Sequence, residues 1–170
     1  MTLWHGLYLL WLLAGTGDFI LHRRSAIDVT SGLRESSLHL VQIGLLGTGT
    51  LLWLLFAATP ALWLVLLAIV CLHALAGYWD TRAAFLVRTI VPLEQHVHSI
   101  LDIAPWVALG AIGWPLLSAT PAPSDEGVSL GPDSATTGTW MFALIPALLL
   151  TVLPALLEFR RCWRSRHRAR

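Results

Sequence analysis

Apolar residues gather into five runs along this chain, each bounded by charged or turn-forming residues. The runs cover about residues 3–22, 35–58, 61–79, 93–117 and 140–157. A helix of roughly 20 apolar residues crosses the hydrocarbon layer of a bilayer, so each run predicts a transmembrane helix. The breaks carry their own signals. Arg23 to Arg34 is polar and contains Asp28, Thr30, Ser31 and Gly32. Thr59-Pro60 marks a tight turn. Asp80 to Pro92 sets Arg82 and Arg88 around an apolar stretch and predicts a short interfacial helix. Residues 118–139 are rich in Ser, Thr, Pro, Gly and acids and predict an exposed loop. Pro146 and Pro154 interrupt the last run. The expected organisation is one all-α integral membrane domain over residues 1–159, then a basic tail over 160–170.

Composition agrees. Of 170 residues, 56% are hydrophobic and 12% charged, about half the charged content of an ordinary soluble domain. Every basic residue is Arg, and six of the 11 fall in residues 160–170. Beside an apolar span, such a cluster is a cytoplasmic anchor, and nucleic-acid binding is a poor reading of it. No Lys or Arg precedes position 23, so the first run is expected to be a retained span, not a cleaved signal. Cys71 falls in a span and Cys162 in the tail, which gives no disulfide framework.

Arginine placement predicts orientation. Arg23, Arg24, Arg34, Arg82, Arg88 and the tail all fall on one side of a five-span topology, while the long loop on the other side carries only Asp125, Glu126 and Asp133. The positive-inside rule puts the N-terminus outside and the C-terminus in the cytoplasm, as in a bacterial inner membrane. Trp4, Trp114 and Trp140 then mark the outer interface, and Trp79 and Trp163 the inner one.

Against this background the ionisable residues inside the spans are the informative ones. Asp18 and His22, Glu35 and His39, and Glu94 and His98 each repeat an acid followed four residues later by a histidine. That spacing places both side chains on one helix face, about one turn apart. His73 and Asp102 complete a set of eight, and all eight belong to the cytoplasmic halves of four spans. In the second span Glu35, His39 and Gln42 form a polar stripe that continues into Leu46 and Gly49. In the third, His73, Gly77 and Asp80 share a face. The outer halves are almost free of charge. Four helices are therefore expected to bundle around a polar site near the cytoplasmic side, with the fifth on the outside.

Charged groups inside a membrane are costly and mark function by default. Carboxylates and imidazoles converging from several helices are metal ligands in helical bundles. The expected metal set is Asp18, His22, Glu35, His39, His73, Glu94, His98 and Asp102, with Glu35 and Glu94 as bridging ligands. Asp80 and Arg88 are placed at the mouth, as possible contacts to a substrate head group. This donor mix suits two transition-metal ions, iron first, with zinc or manganese as alternatives. The functional expectation is a binuclear non-haem metal oxidoreductase acting on a hydrophobic small-molecule substrate from the lipid bilayer, served by an electron donor. Each pair alone also reads as an ordinary hydrogen bond one turn apart, or as a helix-end charge. A proton- or metal-coupled transporter and a b-type haem cytochrome ligated by two histidines are the alternatives. No nucleotide-binding glycine loop, serine-hydrolase set or cysteine-rich metal motif is present in the sequence.

Overall fold

The computed structural model describes residues 3–118 and 135–168, and all of its regular elements are helical. The long helices are α1 (Leu3–Arg24), α2 (Gly32–Leu55), α3 (Pro60–Phe85) and α4 (Pro92–Ser118). They are followed by α5 (Thr137–Ala147), a π-helical turn (Leu148–Val152) and α6 (Leu153–Arg168), which form one continuous rod. Among the described residues, α2, α3, α4 and the α5–α6 rod are long and apolar enough to cross a membrane. At 22 residues, α1 has the length but is not among them. Its leucines alternate with Gly, Thr, Tyr and Trp, and it ends on Asp18, His22, Arg23 and Arg24. Large apolar side chains such as Leu64, Leu75, Ile103 and Leu149 lie exposed around the bundle, as a lipid-facing surface requires.

The ends of the elements follow local chemistry. Thr59 caps α3, its hydroxyl accepting from the Leu62 N–H, and Pro60 occupies the first turn, where a missing N–H costs nothing. Between α1 and α2 the chain turns through a single 3-10 turn, Ile27–Val29. Ala26 and Gly32 on either side take positive φ, 51° and 54°. Gly32 adopts that conformation freely, whereas Ala26 is strained there. Two sequence expectations change at helix ends. The predicted interfacial helix after Trp79 is the last part of α3, because Ala83 and Ala84 are helix formers that bury their side chains. The basic residues read as a tail form the last turns of α6 as far as Arg168.

The helices close a ring: α1 packs on α4, α4 on α3, α3 on α2, α2 on α6, and the rod returns to α1 through its π turn. The last span was expected outside a four-helix bundle, and the structure corrects this. Pro154 is the reason. It has no N–H to offer the Leu150 carbonyl one turn back, and the Thr16 hydroxyl of α1 donates to that carbonyl instead, at 2.7 Å. Tyr8 also donates to the Ala143 carbonyl, at 2.5 Å. These bonds tie the rod to α1 and bring α6 against α2.

The half of the bundle around Leu62 has an ordinary apolar core. Leu62, Leu66 and Val70 of α3 meet Leu109 of α4. The Trp63 indole donates to the Leu109 carbonyl at 3.1 Å. It lies so close to Gly113 that a Cβ there would come within 2.3 Å of its nitrogen.

Candidate metal centre

At the other end the interior is charged. Asp18 and His22 come from the last turns of α1, Glu35 and His39 from the first turns of α2, and Asp80 from the end of α3. Glu94 and His98 begin α4, and Glu158 lies on α6. All eight are buried. The acid-x-x-x-His spacing works as the sequence suggests, one turn placing each pair on the inward face. Helices running in alternate directions bring the end of α1 and α3 to the start of α2 and α4.

His22 lies at the middle of the cluster and is fully buried. Its Nε2 is 3.5 Å from Asp18 Oδ1 and 3.4 Å from both Glu35 Oε1 and Glu94 Oε1. His39 Nε2 lies 3.0 Å from Asp80 Oδ2, and His98 Nε2 lies 3.0 Å from Asp18 Oδ1. The His22 and His39 rings stack in parallel, with centroids 4.8 Å apart and planes within 1°. Glu158 joins them from behind. Its Oε2 is 3.2 Å from His22 Nδ1 and its Oε1 is 2.9 Å from His39 Nδ1. One carboxylate thus accepts from both rings, which sets their tautomers and turns both Nε2 atoms toward the remaining carboxylates.

Three compact donor groups result, one of them His22, His39 and Glu158. Asp18, His22, Glu94 and His98 each offer one atom within 4.8 Å of the others, and Glu35, His39 and Asp80 do the same. His22 Nε2, His98 Nε2, Asp18 Oδ1 and Asp80 Oδ1 are buried without an aligned hydrogen bond, close as their neighbours are. Such atoms are rare in folded proteins because leaving them unpaired is costly. Lone pairs that converge without pairing are suited to a cation.

Arg88, in the loop between α3 and α4, covers this end. Its Nη2 is 2.5 Å from Glu35 Oε1, its Nε is 3.3 Å from Glu35 Oε2 and its Nη1 is 2.9 Å from Glu94 Oε2. Nη2 also contacts Glu94 Oε1, and the Ser31 hydroxyl donates to Glu35. Burial of the guanidinium works to lower its pKa, but hydrogen bonds to Glu94 and Glu35 outweigh this and raise it. Of the buried carboxylates, Glu35 and Glu94 face this arginine, whereas Asp18, Asp80 and Glu158 face the imidazoles of His22, His39 and His98. With neutral imidazoles the five carboxylates outnumber the one fixed cation, and uncompensated buried charge is strongly unfavourable in a low dielectric.

A cavity of about 160 Å³ leads away from the cluster into the apolar half of the bundle. Asp18, His39, Asp80 and His98 form its polar end, and Leu46, Thr50 and Leu144 line the far part. His73 and Asp102 face this cavity and belong to none of the donor groups. His73 is buried, with an unpartnered Nδ1. Asp102 lies against Gly77, where a Cβ would come 3.0 Å from its Oδ1, so glycine makes room for the carboxylate.

The structure therefore brings together six of the eight expected ligands and leaves Asp102 about one turn beyond His98 and His73 about two turns before Asp80. Asp80 and Arg88, placed at the mouth by sequence, divide: Asp80 joins a donor group, while Arg88 bridges two carboxylates. Glu158 is the residue that sequence reasoning passed over. Its signal was a lone acid on the stripe Ala155, Glu158, Cys162, the only buried positions of α6. The arginines around it disguised that face. The chain matches no protein-family model, no curated protein and no solved structure.

Proposed function

We propose that this protein is a membrane-embedded metal enzyme with a binuclear non-haem centre, acting on a lipid-soluble substrate. The convergence of buried carboxylate oxygens and histidine nitrogens from four helices carries this reading, since seven of these residues form two groups whose donor atoms lie within 4.8 Å of one another. Asp18, His22, Glu94 and His98 hold one ion, and Glu35, His39 and Asp80 the other. Glu35 also lies 3.4 Å from His22, so it would stand between the two groups. Bound there, such a centre supplies Lewis acidity and the activation of oxygen or water. Iron with a separate electron donor makes the protein an oxidoreductase, and zinc or manganese are the other metals suited to this donor set.

The protein's own residues do the rest. Glu158 holds the Nδ1 atoms of His22 and His39, which turns their Nε2 atoms toward Glu35, Glu94 and Asp80, where they would ligate. Arg88 holds Glu35 and Glu94 on the side away from the cavity. The apolar walls of the cavity receive the hydrocarbon part of the substrate, and His73 and Asp102 meet its polar end. The parallel stacking of His22 and His39 disfavours haem, because two axial ligands must point at one iron from opposite sides. A transporter needs polar groups across the whole bilayer, and the far half of the interior is apolar.

In this reading α1 crosses the membrane as the fifth span, with the N-terminus outside and the site near the cytoplasm. Cysteines introduced at Val29 and Thr137, in a background without Cys71 and Cys162, test the orientation. Val29→Cys should resist an impermeant thiol reagent applied outside, and Thr137→Cys should react. Elemental analysis and an optical spectrum of the purified protein test the centre. About two transition-metal ions per chain and no Soret band is the expected result. A Soret band would establish a cytochrome, and absence of metal after reconstitution would overturn the metal reading.

A further inference from the structure

A second concavity lies below the buried cluster, between the end of α1, the 3-10 turn and the last turns of α6. Its volume is about 410 Å³. Arg23, Arg160, Arg161, Arg164 and Arg168 line it, and Asp28 is its one acid. Arg160, Arg164 and Arg168 follow one another at four-residue spacing on one face of α6. Arg23 faces them from α1. The positive-inside rule accounts for arginines at this end of the protein. It does not account for their meeting from two helices around one space, where like charges repel.

Asp28 does little to relieve that repulsion. Its Oδ2 accepts from the Ser165 hydroxyl at 3.1 Å. Its Oδ1 is 3.6 Å from Arg161 Nε, too far for an aligned hydrogen bond. Nε and Nη2 of Arg161 are consequently buried with no acceptor among the described residues. Unmet donors on a charged group are among the costliest to leave. The guanidinium fork matches the oxygens of a phosphate in pairs, and clusters of arginine are a common means of binding one.

We propose that this basin binds a phosphate group, with Arg161 as the inner contact and Arg23, Arg160, Arg164 and Arg168 around it. The phosphate belongs either to an anionic lipid head group or to a soluble phosphate compound. Exposed Leu157 on the wall and exposed Trp163 on the same helix put the basin at the depth of lipid head groups. The site is independent of metal in the buried cluster.

The test compares Arg161→Gln and Arg164→Gln with Arg166→Gln, which removes the same charge from a position outside the basin. Each protein is purified from vesicles of phosphatidylcholine with and without phosphatidylglycerol, and retained lipid is counted by native mass spectrometry. In parallel, thermal unfolding is followed against inorganic phosphate. Arg164 is exposed, so its substitution remains informative if Arg161→Gln fails to fold. The expected result is a loss of binding of about tenfold or more in both basin variants and little change in Arg166→Gln. Retained phosphatidylglycerol identifies a lipid phosphate, and stabilisation by inorganic phosphate alone identifies a soluble one. Equal losses in all three variants, or no binding of either probe, would overturn the site.

Discussion

Around Leu62 and Leu109 the helices meet through aliphatic side chains and one indole; a few turns away, around His22, they meet through carboxylates and imidazoles. The first region holds together by close fit. Gly113 and Trp63 show how fine that fit is, since no larger residue shares the space. The second holds together by opposite charges and shared hydrogen bonds among buried acids, histidines and Arg88. Several of its buried Nε2 and Oδ1 atoms lie beside opposite charge without an aligned hydrogen bond, which is rare in folded proteins. The apolar half is ordinary helix packing, and the charged half is where the proposed metal site lies.

Substitutions should separate the two regions, and the largest effect belongs to the middle of the cluster. His22→Ala removes the nitrogen that lies nearest three carboxylates and should abolish metal binding, read as metal content per chain. His5→Ala should leave the content unchanged, because His5 meets Phe142 far from the cluster. Retention of full metal by His22→Ala would erase the distinction between the halves. Glu158→Gln comes next. It keeps the size of the side chain but weakens the hold on two histidines, and metal affinity should fall about 10- to 100-fold by competition with a chelator.

The apolar half should respond in the opposite way. Gly113→Val forces Trp63 aside and should lower unfolding stability in detergent by about 1–3 kcal/mol while metal content stays constant. The smallest effect is expected from Thr16→Val, which leaves the Leu150 carbonyl without its partner. That should cost about 0.5–1.5 kcal/mol and loosen the rod from α1. If Thr16→Val depletes metal more than Glu158→Gln does, the rod is part of the site through its position and not only through Glu158.

The candidate site was legible to different degrees. Asp18, His22, Glu35, His39, Glu94 and His98 declared themselves because a charged residue inside an apolar run is costly, and the four-residue spacing fixes a face. Asp80 was assigned to the mouth because the apolar run weakens after Trp79, yet the buried alanines carry α3 on to Phe85. Asp102 follows His98 by the same four residues, but one more turn takes it past the cluster to Gly77 and the cavity. Periodicity gives a face and leaves depth open by about a turn.

By itself the sequence determined that this is a helical membrane protein, where its helices begin, and that its buried charge belongs at one end. These are local consequences of hydropathy, proline and arginine placement, and the energies involved are set residue by residue. Only the tertiary structure decided that the last helix closes the ring and that Glu158 joins His22 to His39. It also decided that Arg88 clamps Glu35 to Glu94 and that five arginines enclose one basin. Those pairings depend on how helices distant in sequence rotate and slide against one another. That choice rests on fits such as Thr16 to the carbonyl released by Pro154, which no single helix contains.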